Sequence, residues 1–334
     1  MKRIALLLIA AWFAAPAQAQ TKLRFSLDWV FEGQTSFLQL ANYRGYFKDE
    51  GLEVQIDVGT GSAGAFQRIV TGVYDAGLGD MSSQIEFLAR NPGALPFQSV
   101  YVMYDQFPAG LFALKKSGIR SVKDFPGKTF MESPTGFGRR IWPLLAKAAD
   151  VDPNSLKWVT AAPSLRATML INGDVDIIAG FLSIPIDLMT RGVKEDEIVT
   201  MPVADYGLHY YGNTLVVSQK LIDGNPNAVA GLVRAFNRAL KDMIADPASS
   251  MKYLKRREPL VDENMELRRF RMVAAGIVTP DVRANGLGAI NAERLQKQID
   301  QVAQAYGLAN PPSVERLFNP KFLPSQPQRM LLSN

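Results

Sequence analysis

Three short segments of the sequence combine glycine with hydroxyl-bearing residues where a predicted strand gives way to a predicted helix. They are 59–64 (GTGSAG), 79–83 (GDMSS) and 133–138 (SPTGFG). The first backbone N–H groups of a helix are free, so such segments can bind a carboxylate, sulfonate, phosphate or carbonyl oxygen. Ordinary turn and helix-capping chemistry explains any one of them alone. Three in one chain make a ligand site as good an explanation as capping.

Aromatic residues gather near the same predicted strand ends. A flat ligand can stack on such rings, although packing in the core explains most of them. Trp29, Phe137 and Tyr206 are the strongest candidates because each adjoins a polar loop. The full set is Trp29, Phe31, Tyr104, Phe107, Phe137, Phe181, Tyr206, His209, Tyr210 and Tyr211.

Other chemistries find little support. The segment 59–64 matches G-x-G-x-x-G, but that dinucleotide fingerprint belongs to a first β-α-β unit and here a complete unit precedes it. His209 is the only histidine and there is no cysteine, so neither a two-histidine metal site nor thiol catalysis is possible. Residues 249–252 (SSMK) match S-x-x-K without its companion motifs. We therefore expect no metal, no cofactor and no enzymatic activity.

The N-terminus predicts export. Lys2 and Arg3 precede an apolar run at 4–15, and Ala-Gln-Ala at 17–19 forms a cleavage site. We expect residues 1–19 to be a signal peptide and the mature chain to start at Gln20. Because no cysteine is available for lipid attachment, we predict a soluble periplasmic protein.

The charge of the chain does not call for a nucleic-acid partner. The formal net charge is +5, and the basic runs at 252–257 and 268–271 alternate with acidic residues. Such a pattern is typical of a solvated helical face.

The elements that must position these residues alternate between strand and helix, which predicts α/β layers around mostly parallel sheets. The pattern restarts on a smaller scale with a predicted strand at 128–131, so we expect two α/β lobes joined by crossings near 112–116 and 213–218. The predicted first lobe comprises 20–112 plus 218–334, and the second comprises 113–217. A hinge between two such lobes would leave a ligand cleft between them.

Five segments carry a resemblance to a known family. They are LDW at 27–29, GYFKDEGLEV at 45–54, GVYDAGLGD at 72–80, SVKDFPGKTF at 121–130 and NGDVDIIAG at 172–180. In order and spacing the chain resembles periplasmic substrate-binding proteins of ABC importers, in the branch related to thiamine-pyrimidine-precursor, sulfonate and nitrate binders. The resemblance implies the type II periplasmic-binding-protein fold, ligand capture by hinge closure, and delivery to a permease with its ATPase.

The resemblance also implies where ligand contacts lie. They fall on the loop after the first strand, on the turns at 61–63 and 80–82, on 135–138 and around Phe181. With the aromatic candidates the predicted contacts are Asp28, Trp29, Phe31, Gly61, Ser62, Ala63, Asp80, Met81, Ser82, Tyr104, Thr135, Gly136, Phe137, Gly138, Phe181 and Tyr206.

The identity of the ligand stays open at this stage. Pyrimidine-precursor binders continue after LDW with a proline-asparagine stretch and a histidine, whereas this chain reads VFEGQ at 30–34. We expect a monomer that binds either a planar heteroaromatic, such as a thiamine pyrimidine precursor, or a small organic acid or sulfonate. A periplasmic enzyme on the same scaffold and a sensory ligand-presenting protein are the alternatives.

Overall fold

Two five-stranded sheets form the framework of the protein in the computed structural model, which describes residues 20–94, 96–132 and 136–331. The strands are β1 (Thr21–Ser26), β2 (Leu52–Asp57), β3 (Ala76–Asp80), β4 (Phe97–Val102), β5 (Ala109–Leu114), β6 (Thr129–Glu132), β7 (Lys157–Thr160), β8 (Ile177–Phe181), β9 (Ile198–Pro202) and β10 (Asn213–Ser218). The first sheet has the order β2-β1-β3-β10-β4 and the second β7-β6-β8-β5-β9. We call the two α/β units built on them lobe I and lobe II.

In each sheet one strand runs against its neighbours. β10 is antiparallel to both β3 and β4, while β1 pairs in parallel with β2 and β3. In the second sheet β5 is antiparallel to both β8 and β9, while β6 pairs in parallel with β7 and β8. These two strands directly follow the passages of the chain from one lobe to the other.

Fifteen α-helices lie within the described residues. They are α1 (Ser36–Tyr43), α2 (Tyr46–Asp49), α3 (Ser62–Val70), α4 (Met81–Arg90), α5 (Phe137–Ala149), α6 (Arg166–Asn172), α7 (Ile184–Met189), α8 (Gln219–Gly224), α9 (Pro226–Ala245), α10 (Pro247–Arg257), α11 (Glu263–Val273), α12 (Pro280–Asn285), α13 (Ala292–Tyr306), α14 (Val314–Leu317) and α15 (Gln326–Arg329). In this part of the chain no helix combines the length and apolar character needed to cross a membrane.

The first β-α-β unit follows the sequence pattern closely. The apolar positions of α1 are buried, and Phe37 packs edge-on against Phe236 of α9 with ring centroids 4.7 Å apart. Gly45 has φ of 77°, the left-handed conformation that its place after α1 predicts. This packing fixes the start of α1 and, with it, the loop that leaves β1.

The positions at which the chain passes between the lobes, and one strand, differ from the prediction. β5 lies wholly in the second sheet and β10 wholly in the first, so the chain crosses at 103–108 and 203–212, a few residues before the predicted boundaries. The sequence pattern predicts no strand at 198–202, where β9 forms the edge of the second sheet and ends at a proline. The predicted signal peptide at 1–19 lies outside the described residues.

Candidate ligand-binding cleft

Two adjoining cavities lie between the lobes, at the carboxyl ends of β1, β3 and β8. Ligands of open α/β sheets bind at such strand ends. The Asp80 cavity has a volume of about 180 Å³ and is lined by Asp28, Ser62, Asp80, Ser83, Phe107, Phe137, Arg140, Phe181, Asn213 and Tyr306. The Arg166 cavity has a volume of about 220 Å³ and is lined by Asp28, Trp29, Glu32, Gly61, Ser62, Phe107, Ala109, Phe137, Arg166, Gly180, Phe181, Ser183, Ile184, Asp187 and Arg269. Because five residues belong to both sets, the two form one cleft.

Ser62 links the Asp28 carboxylate to the Asp80 backbone in the wall of this cleft. Asp28 Oδ2 accepts hydrogen bonds from Asn213 Nδ2 at 2.7 Å and from Ser62 Oγ at 3.3 Å. The Asp80 backbone N–H donates to the same Ser62 Oγ at 3.0 Å. Asn213 is placed for this contact by the register of β10, in which it lies opposite Asp80.

The backbone holds the Asp28 loop against the start of α3. Gly61 N donates to the Asp28 carbonyl at 2.6 Å. Gly61 has φ of 118°, a conformation that L side chains rarely adopt, so this contact depends on glycine. The sequence GTGSAG therefore serves to bring Ser62 to Asp28.

Asp80 has one oxygen bound and one free. Its Oδ1 caps α4 by accepting from Ser83 N at 2.7 Å, whereas its Oδ2 is buried without a hydrogen-bond partner among the described residues. Burial raises the pKa of Asp80 to about 6, and the charge of Asp28 adds to the rise against the opposing hydrogen bonds from Ser83. Burial also raises the pKa of Asp28, opposed by its bonds from Asn213 and Ser62. The pair can accept, and Asp80 can also donate, a hydrogen bond near neutral pH.

Aromatic rings line the same cleft as the carboxylates. Phe107 contacts Phe137 and Phe181 edge-on, with ring centroids 5.1 Å and 5.6 Å away. Tyr104 lies behind Phe181 at 6.0 Å, and its buried hydroxyl has no hydrogen-bond partner within the described chain. Trp29 is 43% exposed at the cleft, which leaves its indole free to stack on a flat ligand.

Charged side chains of both lobes meet in the Arg166 cavity. Arg269 of α11 forms ion pairs with Asp187 of α7 at 3.1 Å and with Glu266 at 3.4 Å. Burial raises the pKa of Glu32, and Arg269 opposes that rise. The Arg269–Asp187 pair therefore joins lobe I to lobe II across the cleft.

Seven of the predicted contacts line the cleft in the structure, namely Asp28, Trp29, Gly61, Ser62, Asp80, Phe137 and Phe181. Tyr104 lies directly behind this lining. Ala63 is exposed next to Ser62 without lining either cavity. Thr135 lies outside the described residues.

The remaining predicted contacts pack or bond elsewhere. Phe31 and Met81 are buried in the core. Ser82 Oγ accepts from Gln298 Nε2 at 3.0 Å, and Tyr206 lies away from the cavities, with its hydroxyl 3.4 Å from Val122 N. Gly138 N donates to Glu132 Oε2 at 2.9 Å, and a side chain on Gly136 would collide with the same glutamate. None of these six residues lines either cavity.

Sequence reasoning missed several charged and polar residues of the cleft, chiefly Glu32, Arg140, Arg166, Asp187, Asn213, Arg269 and Tyr306. The alternation of charges at 268–271 predicts a solvated face, but the Arg269 side chain is only 12% exposed and lines the cleft. Asn213 offered a signal, since it begins the strand that returns to the first sheet.

The architecture defines the class of protein. Two α/β lobes with a cleft between them form the periplasmic-binding-protein fold. The aliphatic sulphonate binding protein SsuA from Escherichia coli matches it with a TM-score of 0.68 at 14% identity, over 94% of this chain and 92% of that one.

The sequence then places the chain within that class. Residues 33–250 match the model of the "NMT1/THI5 like" family, and the chain belongs to this family. It is similar to the riboflavin-binding protein RibY of Chloroflexus aurantiacus, with 29% identity over 71% of this chain and 68% of that protein. It is also similar to a 4-amino-5-hydroxymethyl-2-methylpyrimidine phosphate synthase of Legionella pneumophila, with 24% identity over 73% and 76% of the two chains.

Proposed function

We propose that this protein is the periplasmic solute-binding component of an ABC importer and that it captures a planar heteroaromatic molecule bearing N–H donors. The observation that carries the proposal is the Asp28–Ser62–Asp80 arrangement in an aromatic-lined cleft between two lobes. Closure of the lobes around the ligand would precede its delivery to a permease and its ATPase. Residues 1–19, with the features of a secretory signal, support export to the periplasm.

The donor and acceptor character of the cleft selects among the ligand classes. The unpartnered Asp80 Oδ2 offers an acceptor to a ring N–H or an amino group, and an unsatisfied buried oxygen is costly until a donor meets it. The same carboxylates repel an anion, so a sulfonate or organic acid fits this end poorly. An aminopyrimidine or a flavin-like ring fits both the acceptors and the aromatic wall. The names of the pyrimidine and riboflavin relatives support this choice.

Native mass spectrometry of freshly purified protein tests the proposal directly. We expect one small molecule per chain, released unchanged on denaturation and identified as an N–H-bearing heteroaromatic. Identification of a sulfonate or an aliphatic acid as the bound molecule would contradict the ligand class.

Substitution of Trp29 tests whether its indole contacts the ligand. We expect Trp29→Ala to weaken binding of the released molecule at least tenfold, because the mutant loses a stacking surface. The melting temperature of the unliganded protein should hardly change, since the side chain is substantially exposed. Val30→Ala is the matched control, being exposed beside Trp29 without lining either cavity. Equal affinities of the Trp29 variant and wild type would remove Trp29 from the site.

An enzyme on the same scaffold is the second candidate, favoured by the synthase relatives and by a carboxyl with a pKa of about 6 in the cleft. His209 does not support it: the ring is exposed, outside the two cavities, with Nδ1 3.2 Å from Gln106 Oε1. Incubation of the protein with the molecule that it carries separates the two. Conversion of that molecule over many turnovers would show that the protein is an enzyme and would contradict a function in binding alone.

A further inference from the structure

Arg166 has more hydrogen-bonding capacity than the protein uses. It begins α6 of lobe II, lines the Arg166 cavity, and lies across the end of β8, where Nη1 would be 3.2 Å from a Cβ on Gly180. Burial lowers the pKa of its guanidinium, against the opposing charges of Asp187, Glu132 and Glu32. A glycine at 180 leaves the space that this side chain occupies.

The other arginines of the cleft have partners. Arg269 is paired with Asp187 and Glu266. Arg140 is paired with Glu86 and lies over the ring of Tyr306. Arg166, in contrast, forms no hydrogen bond or close ion pair with any residue in 20–94, 96–132 and 136–331. Its planar fork of five N–H donors therefore faces the cavity unused.

Resting on the proposed function, we infer that Arg166 recognises a neutral oxygen acceptor, a ring carbonyl or a hydroxyl, on the bound heterocycle, and that the cleft discriminates against the phosphorylated form of the same molecule.

The charge balance of the cavity argues for a neutral acceptor. Its lining contains the three carboxylates Asp28, Glu32 and Asp187 against the two guanidiniums Arg166 and Arg269. Arg269 is already committed to Asp187. A phosphate near Arg166 would be attracted by one guanidinium. It would also be repelled by several carboxylates in a partly desolvated space. A carbonyl or hydroxyl oxygen gains the charge-assisted hydrogen bond without that repulsion.

Two pairs of probes test this, each pair differing by a phosphate. They are 4-amino-5-hydroxymethyl-2-methylpyrimidine with its phosphate, and riboflavin with its 5′-phosphate. Affinities are measured by titration calorimetry for wild type, Arg166→Met, Arg166→Lys and the control Arg191→Met. Arg191 is exposed in the same lobe and outside the cavities.

We expect wild type to bind the unphosphorylated member of at least one pair at least tenfold more tightly than its phosphate. Arg166→Met should weaken that binding about 10- to 100-fold, the range for a hydrogen bond to a charged group. The affinity of Arg166→Lys should lie between those of wild type and Arg166→Met, because lysine keeps the charge but lacks the planar guanidinium. The control should bind like wild type.

The outcomes separate the two proposals. Unchanged affinity in the Arg166 variants, or tighter binding of a phosphate, overturns the role of Arg166 and leaves the heterocycle-binding function standing. If Arg166→Met does not fold, as judged by its circular dichroism, Arg166→Lys alone decides. Wild type that binds no member of either pair overturns the ligand class and, with it, the role of Arg166.

Discussion

At the scale of single residues, Asp80 is the buried group of the cleft whose protonation is coupled to folding. Its carboxyl is buried with one oxygen unpartnered among the described residues, beside the like charge of Asp28. The protein therefore keeps a group that weakens its own fold when ionised. Such a cost is expected where a ligand supplies the missing partner.

The pH dependence of folding tests this arrangement. The pKa of Asp80 is about 6 in the folded protein, against an ordinary value of 3.8. Between these values the folded state binds more protons than the unfolded state, so Asp80 makes the protein less stable as pH rises from about 4 to about 6. Relative to Asp80→Asn, unliganded wild type should gain up to about 3 kcal/mol in its free energy of unfolding when pH falls from 7 to 4. The free energies of unfolding are measured by denaturant titration at each pH. The same pH dependence in wild type and Asp80→Asn would contradict the raised pKa of Asp80.

At the scale of elements, the segment 45–54 that carries the family resemblance serves the fold. Gly45 adopts φ of 77° between α1 and α2, and a Cβ built on it meets no atom within 4 Å. The cost of a side chain there is purely that of the left-handed backbone. This element lies away from both cavities of the cleft.

Gly45→Ala should therefore separate stability from binding. We expect the free energy of unfolding to fall by about 1 kcal/mol, the usual penalty for an L residue in the left-handed region. The affinity for the carried ligand should remain that of wild type. Gly93→Ala is a suitable control, since a Cβ there is equally free of contacts and its φ is not positive. A tenfold loss of affinity in Gly45→Ala would give this segment a role in the site.

The elements that form the cleft differ in how well the sequence predicts them. Strand ends and helix starts are local signals, so the sequence predicts the Asp28 loop, the 59–64 turn and the Asp80 turn. Arg166, Asp187 and Arg269 enter the cleft from helices of different lobes, at positions that read locally as ordinary surface charge. Only the packing of the lobes brings them together, and no local pattern encodes that packing.

At the scale of the whole molecule, the Arg269–Asp187 ion pair joins the two lobes next to the 28–34 loop. Arg269 also contacts Glu266, whose other carboxylate oxygen accepts from Gly33 N at 2.6 Å. Gly33 follows Glu32 of the cleft, and a Cβ on it would collide with the Glu266 backbone. One chain of contacts therefore runs from Asp187 of lobe II through Arg269 and Glu266 to Gly33 in the 28–34 loop.

A double-mutant cycle on this pair measures how much it contributes to ligand capture. Arg269→Met and Asp187→Asn should each weaken binding of the carried ligand, because each removes one partner of a contact between the lobes. The double variant should bind about as weakly as the worse single variant, with a coupling energy of roughly 1 kcal/mol between the two sites. Strictly additive losses would mean that the two side chains act on the ligand separately. X-ray scattering adds an independent measure: if the pair holds the lobes together, the liganded Arg269→Met protein has a larger radius of gyration than liganded wild type.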